Sequence, residues 1–309
     1  MKTFIRNIIL MGVIVLLLLA AIEISLLYIP NTYSYKRDYV EAHINDIKCL
    51  LLGNSHIEEA LDPKLIGDGV FNLAISGRPH IYDIELAKMY VPQMKNLKVL
   101  IIPFDYSMFY FGREKNNPDE IMKQPQFGNT YKCMYYKYMG IRVDEFWYWP
   151  ESLNSKLDYL GRFTQSKQES IECDSLGYIS LPLSNRTSDW ENRFLPKIVD
   201  SSVAKNQEKY TLLYEQYKTL AELAKKQGCR LVLLRTPTYK TYISYLNPSV
   251  TKEMTDFVSA LQKEFPFAEY NDYGQDERFV GDDFHDASHL TDVGAAKFSV
   301  IVKEEILEK

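Results

Sequence analysis

The sequence predicts an α/β protein: a mainly parallel five-stranded sheet, doubly wound in three α/β/α layers, preceded by an N-terminal transmembrane helix. Three observations predict it. Short continuous apolar runs alternate with amphipathic stretches, a long aromatic-rich segment interrupts that alternation, and a 22-residue apolar stretch comes before all of it. Runs that are apolar throughout, rather than at every second position, indicate strands buried on both faces, as in parallel sheets covered by helices.

The stretch from Ile8 to Ile29 reads IILMGVIVLLLLAAIEISLLYI, with Glu23 as its only charge. About 20 apolar residues span a bilayer core, so residues 8–29 are expected to contact the membrane and residues 1–30 to form an anchor. Lys2 and Arg6 precede the stretch. Positive charge tends to stay cytoplasmic, which places residues 31–309 outside the cell membrane in a single-pass topology. A cleaved signal peptide is the competing reading, with Ala20-Ala21 near a cleavage site. The anchor is favoured because the stretch continues past those alanines and exceeds the roughly 7–15 residues of a signal's apolar region.

Three apolar runs follow: Ile47 to Leu52, Val70 to Ile75 and Val99 to Ile102. Each ends in Gly, Ser or Pro, and amphipathic stretches follow the first two, giving βαβαβ. A fourth run, Leu231 to Leu234, follows a long periodic helix whose apolar face is expected to hold Leu212, Leu213, Leu220 and Leu223, closed by Gly228. Pro266 to Tyr270 is the expected fifth strand.

Between the third and fourth strands lie about a hundred residues, too many for a simple crossover. Residues at about 106–206 are therefore expected to form an insertion within a domain spanning 31–309. Residues 106–190 hold all three Trp and the run Phe146-Trp147-Tyr148-Trp149. Most such rings are expected to form the insertion's own core; a surplus of Tyr and Trp also suits stacking on sugar faces.

Acidic residues (41) exceed basic ones (36), a net charge of −5, so no whole-chain basic field recruits nucleic acid. Four cysteines are too few for a disulfide scaffold. Cys49 and Cys229 open apolar runs and are expected to be buried thiols, while Cys133 and Cys173 lie in the irregular region, where a pairing stays open.

Chemistry first appears after the first run, in Gly53-Asn54-Ser55-His56-Ile57-Glu58-Glu59. A Ser in the turn between a buried parallel strand and a helix sits at the carboxyl edge of the sheet, where ligands bind in open α/β folds. The helix start offers backbone N–H groups to an oxyanion formed by attack of that Ser. Ser is also a common helix cap, so this block alone is weak. The partner lies near the other end, in Asp286-Ala287-Ser288-His289. That spacing lets the carboxylate fold back onto one imidazole nitrogen, leaving the other free to take a proton from Ser55. Thr291 reads as the cap of a final helix, with Gly294-Ala295-Ala296 allowing close packing.

With these blocks in view, the chain resembles the SGNH (GDSL-type) hydrolase superfamily, over about residues 46–105 and 207–309. Gly53-Asn54-Ser55 matches the family's GDS-like block, with Asn54 in place of the usual Asp, and Asp286-Ala287-Ser288-His289 matches its DxxH block. The resemblance implies a flavodoxin-like SGNH fold, Ser55, Asp286 and His289 as catalytic residues, and an oxyanion hole from the amides of Ser55 and Gly77. Membrane-anchored relatives with such blocks modify cell-envelope polysaccharides, some by acyl transfer. The family's third block, GxND, whose Asn side chain the resemblance implies as a third oxyanion donor, is missing, because the third run ends Pro103-Phe104-Asp105. An ionised Asp cannot donate to an oxyanion, and losing one such donor costs about 3 kcal/mol in barrier.

Asn54, Arg78, Asp105 and Arg235 are expected to contact substrate. His56 is expected to pack or hydrogen-bond at a helix start, and His80 either lines the pocket or starts a helix. Two other readings compete. Asp282, Asp283, His285, Asp286 and His289 suit a divalent transition metal, although this leaves Gly53-Asn54-Ser55 unexplained. Loss of the third block suits an envelope glycan-binding or assembly protein that keeps the fold without the chemistry. The favoured reading is a serine esterase or O-acyltransferase acting on O-acylated, for instance acetylated, envelope glycan or a small acyl ester, needing no cofactor or metal.

Overall fold

The structure, a computed structural model, describes residues 1–27, 29–78, 80–107, 109, 157, 160–161, 163–165, 171–196 and 207–309. Most of the expected insertion, including the Phe146 to Trp149 run, and the Cys133 end of the open cysteine pairing lie outside them. The chain divides into two units, residues 1–37 with 122–172 and residues 38–121 with 173–309. In the first, α1 (Lys2–Leu27) is 26 residues, about 39 Å at 1.5 Å per residue. It is long and apolar enough to cross a membrane.

The second unit is built on five strands: β1 (Cys49–Leu51), β2 (Val70–Asn72), β3 (Val99–Pro103), β4 (Arg230–Arg235) and β5 (Ala268–Asp272). Their order is β2-β1-β3-β4-β5 and every neighbouring pair is parallel. The sheet is thus doubly wound, and its winding reverses between β1 and β3. In such sheets the crevice at that reversal, beyond the strand carboxyl ends, is where ligands bind.

Period-2 geometry divides the strand side chains between two layers. Cys49, Leu51, Val99, Ile101, Val232 and Leu234 share one core with Ile57, Leu61, Phe298 and Val302. That face is covered by α4 (Pro63–Ile66) and α9 (Asp292–Val302). Leu50, Leu100, Ile102, Leu231 and Leu233 are equally buried on the other face. There α5 (His80–Tyr90), α6 (Gln207–Gln227) and α8 (Pro248–Glu264) pack in succession. Burial of both strand faces is the physical reason for the continuous apolar runs.

Particular elements depart from expectation. β5 begins two residues later than Pro266, because proline has no N–H for the ladder. In α6 the buried side is Leu213, Tyr217, Leu220, Ala221 and Ala224, with Leu212 exposed, so the apolar stripe is turned about one residue from the expected set. Tyr217 donates its hydroxyl to the Pro103 carbonyl at 3.0 Å, and its ring stacks on His80 at 4.5 Å and meets Phe104 and Phe257 edge-on. His80 starts α5 and faces this core; burial pushes its pKa down to about 3, so it is neutral. Cys49 and Cys229 are buried thiols, raised by burial to about 12 and about 11.

Residues 173–196, at the end of the expected insertion, belong to the sheet-bearing unit. They run as a strap: Leu176 accepts from the Asn72 amide at 2.9 Å, Leu181 from the Asp292 amide at 2.8 Å, and Arg193 from the Ala287 amide at 3.2 Å. Trp190 packs against Tyr239 at 4.6 Å and under the Arg186 guanidinium at 4.5 Å, so this ring serves packing.

Gly294 lies in the first turn of α9, where a Cβ would fall 2.1 Å from the Asp283 carbonyl oxygen. Thr291 caps the helix, accepting from the Gly294 amide at 3.2 Å and donating its hydroxyl to Asp282 O at 2.7 Å. Helix and loop therefore meet backbone to backbone. Gly294→Ala is expected to destabilise the protein by about 1–3 kcal/mol through overpacking, read as a lower denaturant midpoint with unchanged slope.

Candidate active site

β1 ends at Leu51, and Leu52, Gly53 and Asn54 make the turn into α3 (Ser55–Glu58). Gly53 is required there: its φ is +133° and a Cβ would lie 2.5 Å from the Pro103 ring on β3. Asn54 caps α3, its Oδ1 accepting from the His56 amide at 3.0 Å. The expected substrate contact thus holds the helix start. Two buried devices fix this turn. Asn72, at the end of β2, donates its side-chain amide to Ile57 O at 3.1 Å and Leu61 O at 3.0 Å. Asp83 accepts from the Gly53 amide at 3.1 Å and from Arg78 Nε at 2.9 Å. Arg78, expected at the mouth of the site, is instead fully buried in this ion pair. Burial raises the Asp83 pKa, and Arg78 opposes that rise.

The loop between β5 and α9 brings His289 to Ser55. Ser55 Oγ lies 2.9 Å from His289 Nε2. On the other side of the ring, Nδ1 is 2.9 Å and 3.0 Å from the two Asp286 oxygens. Asp286 Oδ1 also accepts from the amides of Ser288 at 2.8 Å and His289 at 3.0 Å. Burial opposes the Asp286 charge, but these bonds and the imidazole outweigh it and hold its pKa below the carboxylate range. Burial likewise disfavours a charged His289. Hydrogen bonding and charge from Asp286, with further charge from Glu59 and Asp105, outweigh it and raise the pKa.

Glu59 is the group that sequence reasoning missed. It lies four residues after Ser55, the spacing that puts two positions on one face of a helical turn. Its Oε2 is 3.9 Å from His289 Nε2, and its Oε1 is 2.9 Å from the Ser76 hydroxyl. Burial raises the Glu59 pKa, with His289 pulling the other way. Ser76 precedes Gly77, whose φ is +72°. Among the described residues, the amides of Ser55 and Gly77 donate to no protein acceptor.

Asp105 follows β3 across the sheet's reversal point. Its Oδ2 is 2.6 Å from His56 Nδ1 and its Oδ1 accepts from the Ser107 hydroxyl at 2.7 Å. Phe194, on the strap, presents its ring edge-on to His289 at 5.5 Å, although it is 64% exposed and has a φ of +52°. Such backbone costs a non-glycine residue about 1–2 kcal/mol, and exposure of the ring returns little of it. Arg235 lies elsewhere: it is buried, reaches Asp272 at 3.2 Å, and lines a cavity of about 480 Å³ with Tyr273, Gln275, Asp276 and Arg278. The residues of the metal reading are tied up separately, Asp282 with Arg186 at 3.1 Å and Asp283 with Lys297 at 2.6 Å. Among the described residues, no group of three or more His, Cys, Asp or Glu is arranged to hold a metal ion.

No family model matches this chain, and no curated protein matches it. Among solved structures it is similar to the lipase Lip_vut3 from a goat rumen metagenome, at 11% identity and a TM-score of 0.40, over 84% of this chain and 96% of the lipase. The site is therefore read from its own geometry.

A raised His289 pKa means that the ring turns into a neutral proton acceptor at a higher pH than an ordinary histidine does. Removing the Glu59 charge removes one of the causes. In Glu59→Gln, the His289 pKa followed by NMR is expected to fall; a value unchanged or higher contradicts the placement of that carboxylate beside Nε2.

Proposed function

We propose that the chain is a membrane-anchored, SGNH-like serine esterase or O-acyltransferase, its domain extracytoplasmic, acting on an O-acylated envelope glycan. The observation that carries this reading is the Ser55 Oγ to His289 Nε2 distance of 2.9 Å, with Nδ1 of the same ring bonded by Asp286. A serine is a weak nucleophile until an adjacent base accepts its proton, and an orienting carboxylate keeps the base in the right tautomer. The amides of Ser55 and Gly77, which donate to no protein acceptor among the described residues, support a place for the oxyanion.

In this mechanism Ser55 Oγ attacks the acyl carbon while His289 takes its proton. The carbonyl oxygen becomes an oxyanion held by the two amides. Collapse expels the alcohol, which leaves with the proton from His289, and an acyl-Ser55 ester remains. Water or a sugar hydroxyl then gives its proton to His289 and attacks the same carbon; collapse breaks the bond to Ser55 Oγ, which leaves with that proton from His289 and restores the site. Both acceptors use the same groups, so exclusion of water decides between hydrolysis and transfer. The exposed Phe194 ring beside His289 supports a substrate with an apolar acyl group or a C–H-rich sugar face. The apolar α1, with Lys2 and Arg6 in its first turns, supports anchoring with the domain outside.

A fluorophosphonate probe is expected to label Ser55, and Ser55→Ala is expected to lower turnover of an acetyl ester by about 10³-fold or more without changing the melting temperature. Turnover unchanged in that variant removes Ser55 from the mechanism.

A further inference from the structure

In the mechanism above, Ser55, His289 and the two amides treat water and a sugar hydroxyl alike, so access alone decides between them until a further group is counted. That group is Glu59. Its Oε2 lies 3.9 Å from His289 Nε2, the same nitrogen that Ser55 Oγ meets at 2.9 Å. Serine and carboxylate thus approach one imidazole nitrogen from the turn of helix that follows β1.

The carboxylate is held from one side only. Its Oε1 is 2.9 Å from the Ser76 hydroxyl, and Ser76 is itself fixed by Glu58, whose Oε2 accepts from the Ser76 amide at 2.5 Å and lies 2.7 Å from the same hydroxyl. Among the described residues, Glu59 Oε2 accepts from no protein donor. The gap of 3.9 Å to Nε2 is too long for a direct hydrogen bond, yet an oxygen about 2.8 Å from both atoms closes a triangle across it. That position adjoins Nε2, where the second step requires its nucleophile. Water there has two hydrogens, one for His289 and one to donate to Glu59. A sugar hydroxyl has a single hydrogen, and once His289 receives it the oxygen can only set lone pairs against the carboxylate.

We propose that Glu59 selects water over alcohols in the second half-reaction, so that the chain hydrolyses its acyl ester rather than transferring the acyl group. This rests on the reading of Ser55 as nucleophile. Water gives one proton to His289 Nε2 as its oxygen bonds to the acyl carbon, and the carbonyl electron pair moves onto oxygen. The second hydrogen stays on the attacking oxygen, donated to Glu59 Oε2. Collapse breaks the bond to Ser55 Oγ, which takes the proton from His289, and the carboxylic acid departs with the second hydrogen. Glu59 neither gains nor loses a proton in the cycle.

The test uses the full chain in detergent micelles with p-nitrophenyl acetate as donor and methanol as competing acceptor, since methanol is nearly as small as water but carries one hydroxyl hydrogen. Labelling of Ser55 by a fluorophosphonate establishes the nucleophile independently; its absence overturns the parent reading whatever Glu59 does. With labelling present, the ratio of methyl acetate to acetate reads the choice of acceptor alone. Both products come from one acyl-enzyme, so a change in acylation or in His289 basicity slows both routes and leaves the ratio where it was. The unaltered protein is expected to form mainly acetate. In Glu59→Met, which keeps the side-chain length without an oxygen, the ratio is expected to rise about tenfold. Glu59→Gln, which keeps an uncharged oxygen, is expected to fall between the two. A rise below about threefold in Glu59→Met, or methyl acetate exceeding acetate in the unaltered protein, overturns the proposal. If Glu59→Met does not fold, as judged by thermal melting, the ratio in Glu59→Gln decides alone: a rise supports the proposal and an unchanged ratio overturns it.

Discussion

Everything in the site depends on one hydrogen bond, from Ser55 to His289, which closes a loop of 234 residues. A displacement of about 1 Å in such a pair costs roughly 100-fold in rate, so both ends must be held by rigid structure. At one end Gly53 lets the turn pass against Pro103, while Asn72 and the buried Arg78–Asp83 pair hold the turn from below. At the other, Asp286 gathers two loop amides and the imidazole, and Gly294 brings α9 onto the Asp283 carbonyl. The two-sided core beneath them is what keeps the ends in register.

The site's electrostatics set two demands against each other. Carboxylates near His289 favour its protonated form, which in the proposed mechanism eases proton acceptance from Ser55. The same charges would oppose the oxyanion that this mechanism generates. Glu59, 3.9 Å from Nε2, belongs to both effects. In the proposed mechanism the backbone amides of Ser55 and Gly77 act on the oxyanion without lowering the charge that supports the base. The strained backbone at Phe194 fits the same pattern: local stability is given up beside the reacting groups and recovered in the core.

The sheet was legible because continuous apolar runs have few explanations other than strands covered on both sides, and Gly, Ser and Pro marked their ends. Strand limits were less legible where proline's missing N–H shifted β5, and the α6 stripe was misjudged at Leu212 because one residue is about 100° around a helix. In the site, Ser55, Asp286 and His289 could be named from their short local blocks. Glu59 carried a readable signal, four residues from Ser55, but its meaning depends on the distant His289. The bond between His56 and Asp105, the burial of Arg78 and the approach of Phe194 all arise from segments that only tertiary packing brings together. No periodicity or spacing encodes them.

The central claim is that Ser55 and His289 act as one unit, and a double-mutant cycle measures this directly. Activity toward an acetyl ester is compared for Ser55→Ala, His289→Ala and the double variant, all shown to be folded. Groups that share one proton transfer are strongly non-additive, so the double variant should lose little more than either single one. Losses that multiply would mean that the two residues act independently, and the shared proton on which the account rests would not exist.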